Sequence, residues 1–512
     1  MPNINLDALI FREDFEVVDD TARPSSFNQN IGVKDLERGE FFYAGLRKPD
    51  FQRETSDWSD EQLCEFIQSY IDGDLIPAVI LWNSGPYNFV IDGAHRLGAL
   101  IAWINDDYGD GVISQHFFNN EIDEEQKDAA QKTRERISKL VKPYSDYKKA
   151  ILNSDSELLG KALSLGRTSL QLQWVTGGAE KAEQSFFKIN QKASKISDTE
   201  IELLISRKKP FAIASRAIIR AGTGHQYWSK FDKDKMNEIE KLAKDIHSSI
   251  FTPKVSGAIR TLDLPLIKKH NTAQTNSFIF DIVKKCNHLI DKATINDVED
   301  DSDGVQTITY LKTVQKFLRR VNSSHASSLG LHPLIYFYNK RGNHIYSAIL
   351  AWVDIINDLE LSKKRLSSFC QIRKRLESFL FKNKHLISGV NAKYGSGMKS
   401  HKHIKIVVNQ MIHLLQRLET DANIVSAIRV EYPFLNELDK TTVTSQAFST
   451  DVKSQIYIEN TLPNAGTCSH CGGYIHQNSI SFDHKKRKRD GGLGNVENGA
   501  LMHPYCNTSA KN

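Results

Sequence analysis

The residues best able to do chemistry crowd into the last 45 or so positions of the chain. Cys468-Ser-His-Cys471 and His503-Pro-Tyr-Cys506 are two ligand pairs, each split by two residues and separated by 31. Three thiolates and one imidazole at that spacing make the tetrahedral donor set of a structural zinc knuckle. Between the pairs lie Asp483-His484, then Asn498 and Leu501-Met502; Asn507 follows the second pair at once. A hard carboxylate beside an imidazole can hold a divalent metal while the ring takes a proton from water, which phosphodiester hydrolysis requires. Lys485, Lys486, Arg487, Lys488 and Arg489 directly follow the histidine. Five cations there would neutralise DNA phosphates flanking a scissile bond. The plain alternative is a zinc ribbon with Asp483 and His484 as ordinary surface residues.

The order of these parts resembles the HNH endonuclease family: a first Cys pair, "DH" on a β-hairpin, a Gly-rich turn, "N...LM", then a second pair with a polar ligand after it. By that resemblance His484 is the general base, Asp483 a ligand of the catalytic metal, and Asn498 the middle asparagine that orients the base. Asn507 stands where the family usually has its last histidine. An amide oxygen suits a hard cation, so the implied catalytic metal is Mg²⁺ or Mn²⁺, with Zn²⁺ structural at Cys468, Cys471, His503 and Cys506.

The N-terminal third carries a second set of candidates. Ser59 and Gln62 form a capping-box pattern ahead of Leu63, Phe66, Ile67, Tyr70 and Ile71 at helical spacing. Two strands follow, Pro77 to Trp82 and Asn88 to Ile91, joined by the Asn83-Ser-Gly-Pro86 turn. The second runs into Asp92-Gly93-Ala-His95-Arg96 and a helix. A strand, a glycine and a helix N-terminus place unpaired backbone N–H groups and the helix dipole before an anion. An ordinary tight turn with Arg96 in an ion pair fits the same letters. The series Gln52-Arg53, Trp58, Ile76-Pro77 and Asp92-Gly-x-x-Arg96 resembles the ParB-like domain known for its DGQQR motif, with Ala94-His95 in place of the two glutamines. That resemblance implies nucleoside triphosphate binding, and hydrolysis in several members. ATP, GTP and CTP stay open, with Arg53, Asp92, Gly93, His95, Arg96 and Asn190 as contacts. Phe186-Phe-Lys-Ile-Asn190, followed by Ser197 and Glu200 as another capping box, resembles a second block of these domains.

At 512 residues, 40% apolar and 25% charged, the chain has the make-up of an ordinary globular protein of about three domains. The expected fold class is α+β and mostly helical. A ParB-like α/β domain spans 1-210, a helical domain 211-440, a polar linker 441-465 and a ββα-metal HNH module 466-512. Residues 31 to 46 read as a strand and turn, 297 to 303 as an acidic surface loop, and the basic stretch 399 to 405 as a solvated loop that could touch phosphates. The net charge of +5 permits DNA binding without requiring it, so any DNA-contacting surface must be local. Cys64, Cys286 and Cys370 are scattered, which points to a reducing compartment. With no apolar run of 18 residues and no basic, apolar leader, a cytoplasmic location is expected. The whole resembles modification-dependent (type IV) restriction and phosphorothioation-linked defence effectors of the GmrSD and SspE kind. It implies antiviral defence acting on DNA, phage or modified DNA included, with homo-oligomers left open. A non-catalytic DNA-binding regulator and an HNH-type RNase are the rival readings.

Overall fold

The computed structural model of the chain describes residues 4–13, 27–49, 58–118, 120, 122, 124–153, 157–193, 198–255, 257–268, 273–289, 292–436 and 447–510. It divides into two compact units, 1–207 with 223–227, and 208–222 with 228–512. No helix among the described residues is long and apolar enough to cross a membrane.

The first unit is built on a six-stranded sheet of β1 (Arg12–Glu13), β2 (Asn30–Ile31), β3 (Leu46–Pro49), β4 (Val79–Ser84), β5 (Tyr87–Asp92) and β6 (Leu170–Trp174). Its order is β1-β3-β5-β4-β6-β2. The β4–β5 hairpin is antiparallel, while β3 joins β5 and β6 joins β4 in parallel. The apolar runs of the hairpin are continuous because both faces are covered. Val79, Leu81 and Val90 enter one core with Leu63, Ile67, Leu97 and Leu100. Trp82, Phe89 and Ile91 point the other way and pack on Ala182 and Phe186. This is the period of two that a strand imposes.

The helix Asp60–Asp72 begins as its sequence requires: Ser59 Oγ accepts from Gln62 N at 3.2 Å, and Gln62 Oε1 accepts from Ser59 N at 3.0 Å. Residues 31 to 46 keep only Ile31, the end of β2, of the expected strand ahead of the turn. Asp35 Oδ2 accepts from Gly32 N at 2.7 Å and folds 33–36 into a 3-10 turn; Phe41–Gly45 is a short helix and the strand starts only at Leu46. Lys48 on that strand is buried, its Nζ 2.6 Å from Asp7 Oδ1, which also pairs with Arg12 at 2.6 Å.

Among the described residues, the second unit is helical except for an antiparallel hairpin, β7 (Ser481–His484) with β8 (Gly499–Met502). Three expectations change here. Asp301, assigned to a surface loop, is buried and receives Gly304 N at 2.9 Å and Thr307 N at 2.8 Å, closing the start of the helix Val305–Val321. The stretch 399 to 405 enters the helix His401–Gln416, with His401 buried and His403 stacked on Tyr394 at 3.7 Å. The segment 441–465, expected to be an unpatterned linker, contains the helix Thr450–Thr461 capped by Ser449. Its buried side includes Ser454, whose Oγ accepts from Ile259 N at 3.0 Å, so a serine occupies a position where periodicity looks for an apolar residue.

Candidate functional site

Cys468 and Cys471 sit on a tight turn in which Gly472 N donates to Cys468 O at 2.8 Å and Cys468 N to Gly473 O at 2.8 Å. His503 follows β8, and Cys506 opens the short π-helical turn Cys506–Ala510. The ligand atoms of Cys468, Cys471, His503 and Cys506 lie within 4.8 Å of one another, and all four residues are buried. His503 Nδ1 is 3.4 Å from Cys471 Sγ, while Nε2 stands 3.0 Å from Tyr474 O. A proton on Nε2 leaves the Nδ1 lone pair aimed at the sulfurs, the tautomer a metal ligand needs. Burial lowers the His503 pKa and keeps the ring neutral. Hydrogen bonds from Cys471 and Cys506 pull the Cys468 thiol down, and its bond to Cys468 pushes Cys471 up to about 12. One thiolate shared among thiols in so small a space is a donor set that fits zinc.

The cluster is gripped by the helical residues around it. Arg373, on the helix Lys363–Lys382, lies 3.3 Å from His503 Nδ1 and donates to Gly330 O at 2.7 Å and to Leu329 O. Glu377 Oε2 accepts from Tyr474 N at 2.6 Å. His476 is buried, with Nδ1 2.9 Å from Asn322 Nδ2 and Nε2 3.1 Å from Leu264 O. Ser328 Oγ meets Ser479 Oγ at 2.9 Å, and Tyr505 N donates to Ser328 O at 3.0 Å. Sequence reasoning missed this shell. Only the Arg373 and Glu377 spacing hinted at it, and that spacing is common on exposed helices.

Asp483 and His484 end β7, opposite Ala500 and Gly499, and both are half-buried. Asp483 Oδ1 accepts from His484 N at 2.7 Å. Asn498 acts on the loop between them and β8: its Oδ1 accepts from Lys486 N at 2.6 Å, and its Nδ2 donates to Lys486 O at 3.1 Å and Leu493 O at 2.7 Å. It therefore fixes the backbone two residues past His484. Gly492 is needed in this loop, because a Cβ there would lie 1.9 Å from Lys486 O. Asn507 Nδ2 donates to Ser481 Oγ at 2.7 Å and Phe482 O at 3.3 Å, tying the turn after Cys506 to β7. Lys485, Lys486, Arg487, Lys488 and Arg489 are all exposed.

In the first unit, β5 passes through Gly93, at φ 98°, into the helix Ala94–Asn105. Arg96 Nη2 turns back to Asp92 Oδ2 at 2.6 Å. A Cβ on Gly93 would meet Val79 Cγ2 at 3.0 Å and Arg96 Nη2 at 3.1 Å, so glycine keeps this cradle open. His95 stacks on Trp58, ring centroids 5.7 Å apart. Arg53, Ser197 and the side chain of Asn190 fall outside the described residues. Residues 33–207 match the family described as GmrSD restriction endonuclease, N-terminal domain. The match covers β3 to β6, the Asp92–Arg96 turn and the helices on both faces of the sheet, leaves out β1 and β2, and stops before the helical unit. No curated protein and no solved structure matches the chain.

Proposed function

We propose that the chain is a metal-dependent HNH-type DNA endonuclease regulated by nucleotide bound to its GmrSD-type domain, acting in modification-dependent restriction as part of antiviral defence. The observation that carries this reading is the way the parts are joined. A buried Cys3His cluster clamps β8 and the turn after it, and so sets the strand ending in Asp483-His484, the loop locked by Asn498 and the tie through Asn507. The match of residues 33–207 to a restriction endonuclease domain supports DNA as the substrate.

His484 is the general base that takes the proton of the attacking water, and Asn498 holds the loop that follows it. Asp483 and Asn507 offer a carboxylate and an amide oxygen to a hard divalent ion. Mg²⁺ or Mn²⁺ bound there would polarise the phosphate and stabilise the leaving oxygen. Lys485 to Arg489 hold the flanking phosphates. In the first unit, Gly93 and the helix start behind it receive the phosphates of a nucleoside triphosphate, with Arg96 and Asp92 at its edge.

Supercoiled plasmid incubated with the zinc-loaded protein and Mg²⁺ or Mn²⁺ tests the proposal. The wild type is expected to cut. His484→Ala should retain fold and zinc but lose roughly 10²- to 10⁴-fold in rate, the usual share of a general base. A wild type that binds DNA without cutting modified or unmodified substrate, with or without nucleotide, is a DNA-binding regulator instead, and cleavage restricted to RNA makes it an RNase.

A further inference from the structure

The exposed side of the helix Lys363–Lys382 is strongly basic. Lys363, Lys364, Arg365, Lys374, Arg375 and Lys382 are exposed, and the helix's single acid, Glu377, is buried against Arg373. Some of this charge is engaged: Lys382 faces Asp421 at 3.8 Å, and Arg365 and Arg375 donate to the backbone carbonyls of Asp358 and Glu419. Among the described residues, Lys363, Lys364 and Lys374 have no carboxylate within ion-pair distance. At 100° and 1.5 Å per residue these three fall on one face, the first two about 15 Å from the third.

The position of the face gives the charge a meaning. A methyl group at Gly472 would come within 2.9 Å of Lys374 Cβ, so the lysine stem lies directly against the knuckle turn that holds Cys468 and Cys471. Ser469 and His470 on that turn are exposed. The basic face therefore starts where the zinc module ends and runs along a rigid helix rooted in it through Arg373 and Glu377. A module of about 45 residues offers little surface for holding a duplex, and specific protein–DNA interfaces bury roughly 1,000–2,500 Å² of protein. Solvated lysines packed along an ordered helix suit a phosphate backbone, since each phosphate contact releases bound counterions.

We propose that the Lys363–Lys382 helix is a second DNA-binding surface, on which Lys363, Lys364 and Lys374 hold the backbone of duplex DNA engaged by the hairpin module. The proposal rests on the nuclease reading for its choice of duplex DNA. Binding by these residues is indifferent to base sequence, because phosphates carry none.

The test is fluorescence anisotropy of the full chain with a labelled duplex of about 30 base pairs, in Ca²⁺ in place of Mg²⁺, across a salt titration. Lys363→Gln/Lys364→Gln/Lys374→Gln should weaken binding to every duplex alike. Its slope of log affinity against log salt should be shallower by up to about 3, at roughly 0.9 per phosphate contact. Zinc content and circular dichroism should match the wild type, and Lys374→Glu alone should weaken binding in the same sense. The control is Lys233→Gln/Lys241→Gln/Lys316→Gln, which removes the same charge from exposed positions on other helices. Unchanged affinity and slope in the first variant overturn the proposal, as does an equal loss in the control or tighter binding of duplex RNA. If the wild type cuts DNA while the first variant binds normally, only this surface fails; if the wild type neither binds nor cuts DNA, the nuclease reading fails with it.

Discussion

Arg373 and Glu377 lie one turn apart on a helix, each side chain 1% exposed, and pair at 2.7 Å from Nε to Oε1. Both also reach the Cys3His module, Arg373 at His503 and Glu377 at Tyr474 N. The remaining capacity of Glu377 goes to Tyr336, whose hydroxyl donates to it at 2.7 Å. A Cys3His site carrying Zn²⁺ has one net negative charge, so the guanidinium beside it is balanced on two sides. The pair is a fastening between helix and knuckle.

Arg373→Met should therefore cost about 3–5 kcal/mol, because it strands the Glu377 charge in the interior. Arg373→Met/Glu377→Leu should cost less than the two single changes together. Denaturant unfolding in a double-mutant cycle measures the coupling, and strict additivity would show that the pair does not act as a unit.

Metal analysis should find one zinc per chain, and Cys468→Ser should lose it. Because the knuckle is bonded to residues as distant as Leu264, Asn322, Ser328 and Glu377, the loss should loosen these contacts too. Hydrogen exchange can check this: protection should fall around Gly330 and Tyr336 as well as in the knuckle. A change confined to residues after 466 would mean that the contacts contribute little.

Acid should weaken the second unit. Burial pushes His476 down to about 4 and His332 well below 6.5, with His476, Lys384 and Arg373 adding repulsion at His332, while Asp263 and the bond to Leu264 O raise His476. Well above pH 6.5 these rings are neutral folded and unfolded, and their contribution is constant. Below it the unfolded chain takes up protons that the folded chain refuses, so stability declines from about pH 6.5 towards 4, by roughly 3 kcal/mol from His476. Guanidinium midpoints at pH 8, 6 and 5 in excess zinc test this. Both ring nitrogens of His332 are buried without a hydrogen bond, so His332→Leu should cost little at pH 8 and flatten the acid limb. Midpoints that do not move with pH would contradict the assignment.

The loop after His484 gives a cleaner handle on catalysis than its cations do. Gly492→Ala would press a methyl into Lys486 O and part Asn498 from its three backbone bonds. If His484 is the base of the proposed cleavage, the rate should fall at least ten-fold with zinc content unchanged; full activity would show that the loop's conformation does not matter to that role.

Much of this was legible in the letters. The knuckle spacing and the capping box at Ser59 each have a local cause and survive translation into structure; the strand expected at Pro77–Trp82 forms two residues later, at Val79–Ser84, and takes in Asn83 and Ser84 from the expected turn. The parts missed are those decided by distant partners. Lys48 is buried because Asp7 waits for it, Asp301 because a helix starts beside it, and the helix Thr450–Thr461 docks through a serine. Likewise the shell around the zinc cluster comes from residues far apart in the chain, Leu264, Asn322, Gly330 and Arg373, whose types alone are ordinary.

The GmrSD-type domain offers the last prediction. Arg96 Nη2 is held by Asp92 at 2.6 Å, on a turn whose backbone favours an anion. A bound phosphate has to draw Arg96 away from Asp92 or sit beside both. Arg96→Ala should thus weaken nucleotide binding by ten- to a hundred-fold, the usual worth of a hydrogen bond to a charged group. Asp92→Asn separates two roles for the carboxylate. If Asp92 only restrains Arg96, the variant should bind nucleotide more tightly with and without Mg²⁺; if it also helps to hold the nucleotide's metal, binding should tighten without Mg²⁺ and weaken with it. Calorimetry with ATP, GTP and CTP in both conditions reads this out, and any nucleotide that binds should change DNA affinity by the same factor that DNA changes its own. If neither variant alters binding of any nucleotide, the turn is not a phosphate site, and nucleotide regulation drops out of the proposed function.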